Sequence, residues 1–423
     1  MMKKIIKCLT NNPQVSDWLI NEINTISHEA FYVLQKLETR RVSNTKEYSV
    51  TVYHNFKENE KDYTGSSSFI VSHNLKTSEI NKLIDDAIFS ASFVKNPKFQ
   101  LVQGEKKKTW KEKSYEEDPF VIIDNVANCF FEQTVPNIKF NSLEIFVTTN
   151  QRHIVNSCGI DYQKVLHSIF VESIPSYDGD QKVELYKDFT YSTVDYDRIR
   201  NDAKEALEDV TVRYHAQKLQ TKAMKVDVIL KDASVRELFD NLIGDYSFAS
   251  VVKGQTNKKI GDPIQKEPHQ DILNISLVAP SKYNVFDGDG ALAVSTQVVK
   301  DGVLSSYYGN NQYACYMNTK STGNARLIKV QKGKTSIEQM RKKPYIEIIA
   351  LSGIQIDMYS NYIGGEVRLA NYFDGEKVHP ISSFSFSGKI DECLNELILS
   401  KETTKMDYYE GPKYIKLPKM EIL

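Results

Sequence analysis

From Asp271 onward the chain reads as short apolar runs cut apart by glycine-bearing turn pairs, and this pattern limits the fold more than any other feature. Strand-like runs occupy residues 273–278, 290–299, 345–351, 365–371 and 382–387. Asp289-Gly290, Asp301-Gly302, Gly364-Gly365 and Asp374-Gly375 punctuate them, and tight hairpins need residues of this kind. A strand over 225–230 and a helix over 235–243 precede these runs. A late helix over 390–399 follows, with Ile390, Cys393, Leu394 and Leu397 on one face. Residues 223–423 are therefore expected to form a β-rich, barrel-like domain, its sheet closed or folded over.

The first half has a different texture. Pro13 and Ser16, followed by Leu19, Ile23 and Ile26 at helical spacing, predict a helix over 13–26. Strand-like runs follow at 30–37, 48–56 and 66–72. Thr77 or Ser78 then opens a helix that carries Ile80, Leu83, Ile84, Ala87 and Ala91 on one face. The same order returns later. Strands are expected at 143–149, 164–173 and 183–191, and Asp195 or Asp197 opens a helix with Ile199, Ala203, Ala206 and Val210 inward. Arg41-Val42-Ser43-Asn44 and His153-Ile154-Val155-Asn156 are taken to occupy one place in two copies. The reading is an internal duplication filling 27–96 and 139–222. Residues 97–138 between the copies hold a charged, solvated linker at 104–113 and a helix starting near Pro119. The whole is an α+β chain: an N-terminal α+β domain over 1–222 with the duplication, then the β-rich domain.

Charge and cysteine content narrow the function classes. Lys plus Arg is 54 against 55 for Asp plus Glu, a balance that argues against nucleic acid as the main partner. The lysine-rich run at 106–113 is diluted by Glu112 and followed at once by Glu116-Glu117-Asp118. Cys8, Cys129, Cys158, Cys315 and Cys393 are scattered and odd in number, which points to free thiols in a reducing compartment. Neither a signal peptide nor an apolar membrane span is visible, so the expected location is the cytoplasm.

Three short signatures stand in order in the second half. They are Phe286-Asp287-Gly288-Asp289-Gly290, then Asp301-Gly302-Val303-Leu304, then Thr322-Gly323-Asn324-Ala325-Arg326. Asn156-Ser157-Cys158-Gly159 in the first half and Leu351-Ser352-Gly353, Gly364-Gly365-Glu366-Val367 and Phe373-Asp374-Gly375-Glu376 later on extend the set. Together they resemble the TldD/PmbA family, once named modulators of DNA gyrase, over nearly the whole chain. The family pattern "fDxEG" has glutamate where Asp289 stands here.

One branch of that family carries HExxxH on the helix after the first strand of its C-terminal domain, and a cysteine in a "CGKxGQ" context near its end. Laying the motif on this chain puts Arg236 and Asn241 at the histidine positions and Glu237 at the glutamate. No histidine lies between His215 and His269, and Met406–Lys416 has no cysteine. Zinc prefers imidazole and thiolate donors, and arginine cannot give up its proton. The resemblance is thus to the PmbA/TldE-like subfamily. It implies a metal-free, catalytically inactive subunit, with zinc only on a TldD-like HExxxH partner. The pair would form a peptidase for small or unfolded peptides, of the antitoxin and microcin kind. A stand-alone homodimeric peptide-binding module and a peptidase without metal are the rival readings.

Other residues have plainer explanations. His28-Glu29 lacks a second histidine and is an accidental pair. Asp287 and Asp289 suit either acid–base work or a glycine-rich bend, and the bend is the simpler reading. Tyr307, Tyr308, Tyr313 and Tyr316 cluster beside the third signature, as in interface cores. With the strand-rich second domain, they lead to the expectation that subunits meet there, in a contact well above ~1,000 Å².

Overall fold

The computed structural model describes every residue except 105–106, 220–223, 280–284 and 407. Glu105 and Lys106 of the expected linker, and the boundary at 222 and 223, lie outside the described residues. The first half runs α1 (Met2–Thr10), β1 (Asp17–Val33), β2 (Lys36–Glu58), β3 (Lys61–Val71), α2 (Thr77–Ala91), β4 (Asn96–Pro97), β5 (Lys108–Lys111), α3 (Pro119–Phe131), β6 (Ile138–Asn156), β7 (Asp161–Asp178), β8 (Lys182–Glu184), β9 (Lys187–Tyr191) and α4 (Tyr196–His215). Its strands form one nine-stranded sheet, ordered β4-β3-β2-β1-β6-β7-β5, with β8 and β9 also on β7. At the centre β1 and β6 run antiparallel from Leu19 opposite Asn156 to Val33 opposite Ser142.

Helix, three strands and helix occur twice, as α1-β1-β2-β3-α2 and as α3-β6-β7-β9-α4, each fanning outward from the central pair. Helices cover one face. α1 and α2 bury Ile5, Leu9, Ile80 and Ile84 on Ile20, Val50 and Val52. α3 and α4 bury Ile122, Phe130, Ile199 and Ala203 on Leu143, Ile145 and Val171. Local chemistry starts these helices. The Asp118 carboxylate accepts from the Phe120 N–H behind Pro119, and Asp195 accepts from the Arg198 N–H. At α2 the cap is Lys76 rather than Thr77 or Ser78, and its N–H donates to the Glu79 carboxylate at 2.6 Å.

Several expectations need correction. The predicted helix over 13–26 is strand: the helix is α1, and β1 starts at Asp17. Near its start β1 is buried on both faces, Ile20 against the helices and Leu19 against the second half of the chain. Adjacent apolar residues there break the strand alternation and imitate a helix. The run 30–37 spans a hairpin, because Leu34 and Gln35 turn the chain with φ of 48° and 66°. Neither is a usual turn residue, so no sequence signal marks the break. Arg41–Asn44 lies in β2, whereas His153–Asn156 ends β6, whose counterpart is β1, so the two segments are not equivalent. The linker is partly strand. β5 adds in parallel to β7, and Trp110 packs edge-on to Tyr162 at 5.7 Å.

The second half runs β10 (Gln217–Lys218), β11 (Met224–Lys231), α5 (Ala233–Gly244), α6 (Phe248–Val252), β12 (Ile275–Val278), β13 (Thr296–Lys300), β14 (Val303–Leu304), α7 (Asn311–Tyr316), β15 (Leu327–Val330), α8 (Ile337–Met340), β16 (Tyr345–Asp357), β17 (Tyr362–Phe373), β18 (Val378–Ser382), β19 (Phe384–Lys389), α9 (Ile390–Asn395), β20 (Ile398–Leu399), β21 (Thr403–Met406), β22 (Tyr409–Pro412) and β23 (Tyr414–Ile422). Five strands close on themselves in the order β11-β16-β17-β19-β23, with β23 bonded back to β11. This barrel is the closed sheet that the turn pattern leads one to expect. A six-stranded sheet, β14-β13-β12-β15-β22-β21, packs beside it. α5 supplies Val235, Leu238, Phe239, Leu242 and Ile243 to the core shared by barrel and sheet. The run 290–299 is strand only from Thr296, and the late helix stops at Asn395.

Candidate functional site

Two places deserve description as sites: the face of α5 where a metal motif would lie, and the turn Phe286–Gly290 docked on the N-terminal sheet.

On α5 the Glu237 Oε1 accepts the Ile354 N–H at 2.8 Å, and Asn241 Nδ2 donates to the Ile354 carbonyl at 2.6 Å. The cause lies in the sheet. β11 accompanies β16 only through Glu347, so farther along that edge of β16 has no strand beside it. Bulges between Ile348 and Gly353 also disturb its pairing with β17. The two side chains of α5 replace a missing strand and satisfy both polar groups of Ile354. One turn away, Arg236 Nε faces Asp240 Oδ2 at 3.4 Å.

Zinc does not fit here. The carboxylate and the amide are occupied by backbone, and arginine is not a donor. Among the described residues no group of three His, Cys, Asp or Glu side chains could hold a metal. Cys393 offers no alternative. It is buried against the Met420 sulfur, and burial pushes its thiol up to about 12. Asn241→Ala is expected to lower stability by about 1–3 kcal/mol, because the buried Ile354 carbonyl loses its donor. Urea denaturation measures this, and Glu237→Gln, which keeps an acceptor, should fall well short of that loss.

The three signatures are backbone devices. Asp287 Oδ1 accepts from the N–H groups of Asp289 and Ala291 at 2.9 and 3.0 Å and closes the turn. Asp289 accepts from the N–H groups of Asn311 and Gln312 and so ties this turn to α7. The second oxygen of each carboxylate is buried without a hydrogen-bond partner. Burial, with the Asp289 charge nearby, pushes Asp287 up to about 6. Asp301 and Gly302, with φ of 50° and 75°, turn β13 into β14. Gly323 and Asn324, at 66° and 47°, follow Thr322, whose carbonyl accepts from the Val294 N–H and whose N–H donates to the Gly309 carbonyl. Arg326 then emerges exposed.

The tyrosines do not make one open patch. Tyr308 is a core residue, 9% exposed, and the Tyr307 hydroxyl donates to the Lys258 carbonyl. Tyr313 meets Tyr316 edge-on, and Tyr316 meets Phe99 from the first half. Beside them lie two adjoining clefts that share Thr319 and Lys320. One, of about 520 Å³, runs along Thr296, Gln297 and Tyr307. The other, of about 590 Å³, lies between Phe99 and Cys315.

The turn 286–290 sits on the face of the N-terminal sheet that the helices leave bare. Phe286 packs there with Leu19, Tyr53, Ile154 and Tyr162. Arg152 and Lys164 stand directly opposite each other on β6 and β7, and both lie over the Phe286 ring, at 5.8 and 5.2 Å. Sequence reasoning missed these two residues. The turn at Asn156-Ser157-Cys158-Gly159 was the available signal: it pairs Val155 with Asp161, and the register then sets Arg152 against Lys164.

Comparison with known proteins agrees with this architecture. Residues 223–423 match the PmbA/TldA metallopeptidase C-terminal domain. TldE from Thermococcus kodakarensis superposes with a TM-score of 0.76 at 16% identity, covering 100% of this chain and 99% of the other. A candidate modulator of DNA gyrase from Thermotoga maritima gives 0.73 at 12% identity, with 100% of both chains covered. Another, from Bacteroides thetaiotaomicron, gives 0.73 at 14% identity, covering 100% of this chain and 97% of that one. No curated protein sequence matches. The fold is that of these proteins from end to end. Its C-terminal region, residues 223–423, is thus a domain of the PmbA/TldA metallopeptidase C-terminal type. Among the described residues no helix is long and apolar enough to cross a membrane.

Proposed function

We propose that this chain is the PmbA/TldE-like, non-metal subunit of a two-protein cytoplasmic metallopeptidase that acts on small or unfolded peptides. The observation that carries this reading is on α5: Glu237 and Asn241 hold the Ile354 backbone where HExxxH would hold zinc. A helix committed to bracing β16 is not available for a metal. Catalysis then belongs to an HExxxH paralogue, and this chain completes the particle and helps to hold the peptide. The cleft along Thr296 and Gln297 suits an extended peptide laid beside a short strand edge. The two subunits are proposed to meet through their C-terminal domains.

Elemental analysis of the chain purified without chelators tests the assignment, together with co-purification against the HExxxH paralogue. The expected result is far less than one zinc per chain and a stable complex. One tightly held zinc per isolated chain, bound by protein ligands, would overturn the assignment.

A further inference from the structure

The six-stranded sheet has a gap along the outer edge of β13. β14 covers that edge only at Val299 and Lys300. Next to it the Val298 carbonyl accepts from the Ser305 and Ser306 N–H groups, and farther on the Val294 N–H donates to the Thr322 carbonyl. Between these anchors stand Ser295, Thr296 and Gln297, on the strand that pairs with β12 on its other side. Among the described residues no backbone group bonds these three across the outer edge. An extended segment of about three residues would fill the gap and continue the ladder. The cleft beside the gap has an apolar wall of Phe248, Ile260, Tyr307 and Met317. Ile260 is 56% exposed, and a peptide side chain laid on it would take that surface out of water.

At Thr319 and Lys320 this cleft runs into the second one, which takes Lys98, Phe99 and Gln100 from the first half of the chain. That segment is fixed to α7: Asn311 Nδ2 donates to the Gln100 carbonyl at 2.6 Å, and Phe99 meets Tyr316 edge-on at 6.0 Å. Lys98 and Lys320 are both exposed, and among the described residues neither has an ion-pair or hydrogen-bond partner. No aspartate or glutamate among the described residues lines either cleft. The chain as a whole balances 54 Lys and Arg against 55 Asp and Glu, so this lining of one sign is a local property. Cations along a cleft raise the local concentration of acidic ligands and repel basic ones.

We propose that the two clefts form one trough for an extended acidic peptide: an apolar segment pairs with residues 295–297, and a flanking aspartate, glutamate or C-terminal carboxylate lies beside Lys98 and Lys320. This rests on the peptide-holding role proposed above. It adds the charge preference of that role and the strand edge that reads the peptide backbone.

Fluorescence polarisation with the full-length chain at low salt provides the test. The probe is a labelled peptide with Val-Leu-Val at its centre and a pair of glutamates toward each end. It is compared with the same peptide carrying glutamine or lysine in place of glutamate, and with a version N-methylated across the centre. The glutamate peptide is expected to bind about fivefold or more tighter than the glutamine peptide, with the lysine peptide weakest. High salt should narrow that spread. Lys98→Glu and Lys320→Glu should each weaken the glutamate peptide by about fivefold, and the double variant should prefer the lysine peptide. Both side chains are exposed, so the variants are expected to melt with the wild type. N-methylation should cost about tenfold or more, because it removes the donors that pair with the β13 edge. Equal binding of the three charge forms, or affinities unchanged in both lysine variants, overturns the proposal and leaves the peptide-holding role standing. Equal binding of the methylated peptide overturns the strand pairing. No binding of any peptide overturns the trough and the peptide-holding role together. None of these readouts needs zinc or the paralogue, so failure of the partner assignment would be seen separately.

Discussion

Replacing Gly323 with alanine is expected to destabilise the protein by about 4 kcal/mol or more, an effect of the kind only a few single substitutions produce. Two independent causes add. Gly323 has φ of +66°, a left-handed backbone that costs a side-chain-bearing residue about 1–2 kcal/mol. The added Cβ would also lie 2.1 Å from the Leu292 carbonyl oxygen and 2.6 Å from the Ala293 nitrogen. That strand of backbone cannot easily retreat. The Ala293 N–H donates to the Val285 carbonyl and the Val294 N–H to the Thr322 carbonyl, which anchors the segment on both sides of the clash. Gly288 is the control within the same set of signatures. A Cβ there meets only Arg152 Nη2, at 4.0 Å, so Gly288→Ala should stay within about 0.5 kcal/mol. Chemical denaturation of the two variants side by side gives the comparison. Similar losses at both positions would contradict the account of these turns.

The second large effect depends on pH. The Asp287 carboxyl is raised from 3.8 to about 6, first by burial and then by the Asp289 charge. Its folded value lies above its unfolded one, so its contribution to stability is fully present below pH 3.8 and is lost as pH rises through about 6. The loss at neutral pH is roughly 3 kcal/mol, since one pKa unit corresponds to about 1.4 kcal/mol. Asp287→Asn cannot ionise and keeps an oxygen to accept from Asp289 and Ala291. Relative to the wild type it should gain about 1.4 kcal/mol between pH 5 and pH 8, the other half of the loss falling below pH 5. The pH dependence of the difference is the readout, because any fixed cost of the amide cancels. A stability difference that stays constant from pH 5 to pH 8 would show that Asp287 is not a buried, destabilised carboxylate.

How far each element could be read from the chain depends on how local its cause is. α3 and α4 are announced by Asp118-Pro119 and Asp195 beside apolar residues at helical spacing, and they appear where expected. Asp301-Gly302 and Asp374-Gly375 mark hairpins that exist, whereas Gly364-Gly365 lies inside β17 and turns nothing. Barrel closure is different. It depends on Val226 and Ile229 meeting Met420 and Lys416 from the far end of the chain, and no local pattern encodes that pairing. β1 imitates a helix in the letters because burial on both faces erases the alternation that identifies a strand. At the site, absence was legible and purpose was not. The missing histidines at positions 236 and 241 are visible in the letters. That Glu237 and Asn241 brace Ile354 depends on where β11 stops beside β16, which only the fold reveals.

The central claim is that the chain serves a metallopeptidase without holding its metal, and reconstitution tests it most directly. Cleavage of an unfolded peptide is followed with the isolated chain, with the isolated HExxxH paralogue, and with the two mixed, each with and without a chelator. The account predicts negligible cleavage by this chain alone and chelator-sensitive cleavage by the mixture well above that of the paralogue alone. Robust, chelator-resistant cleavage by the isolated chain, or no effect of the chain on its paralogue, would contradict it.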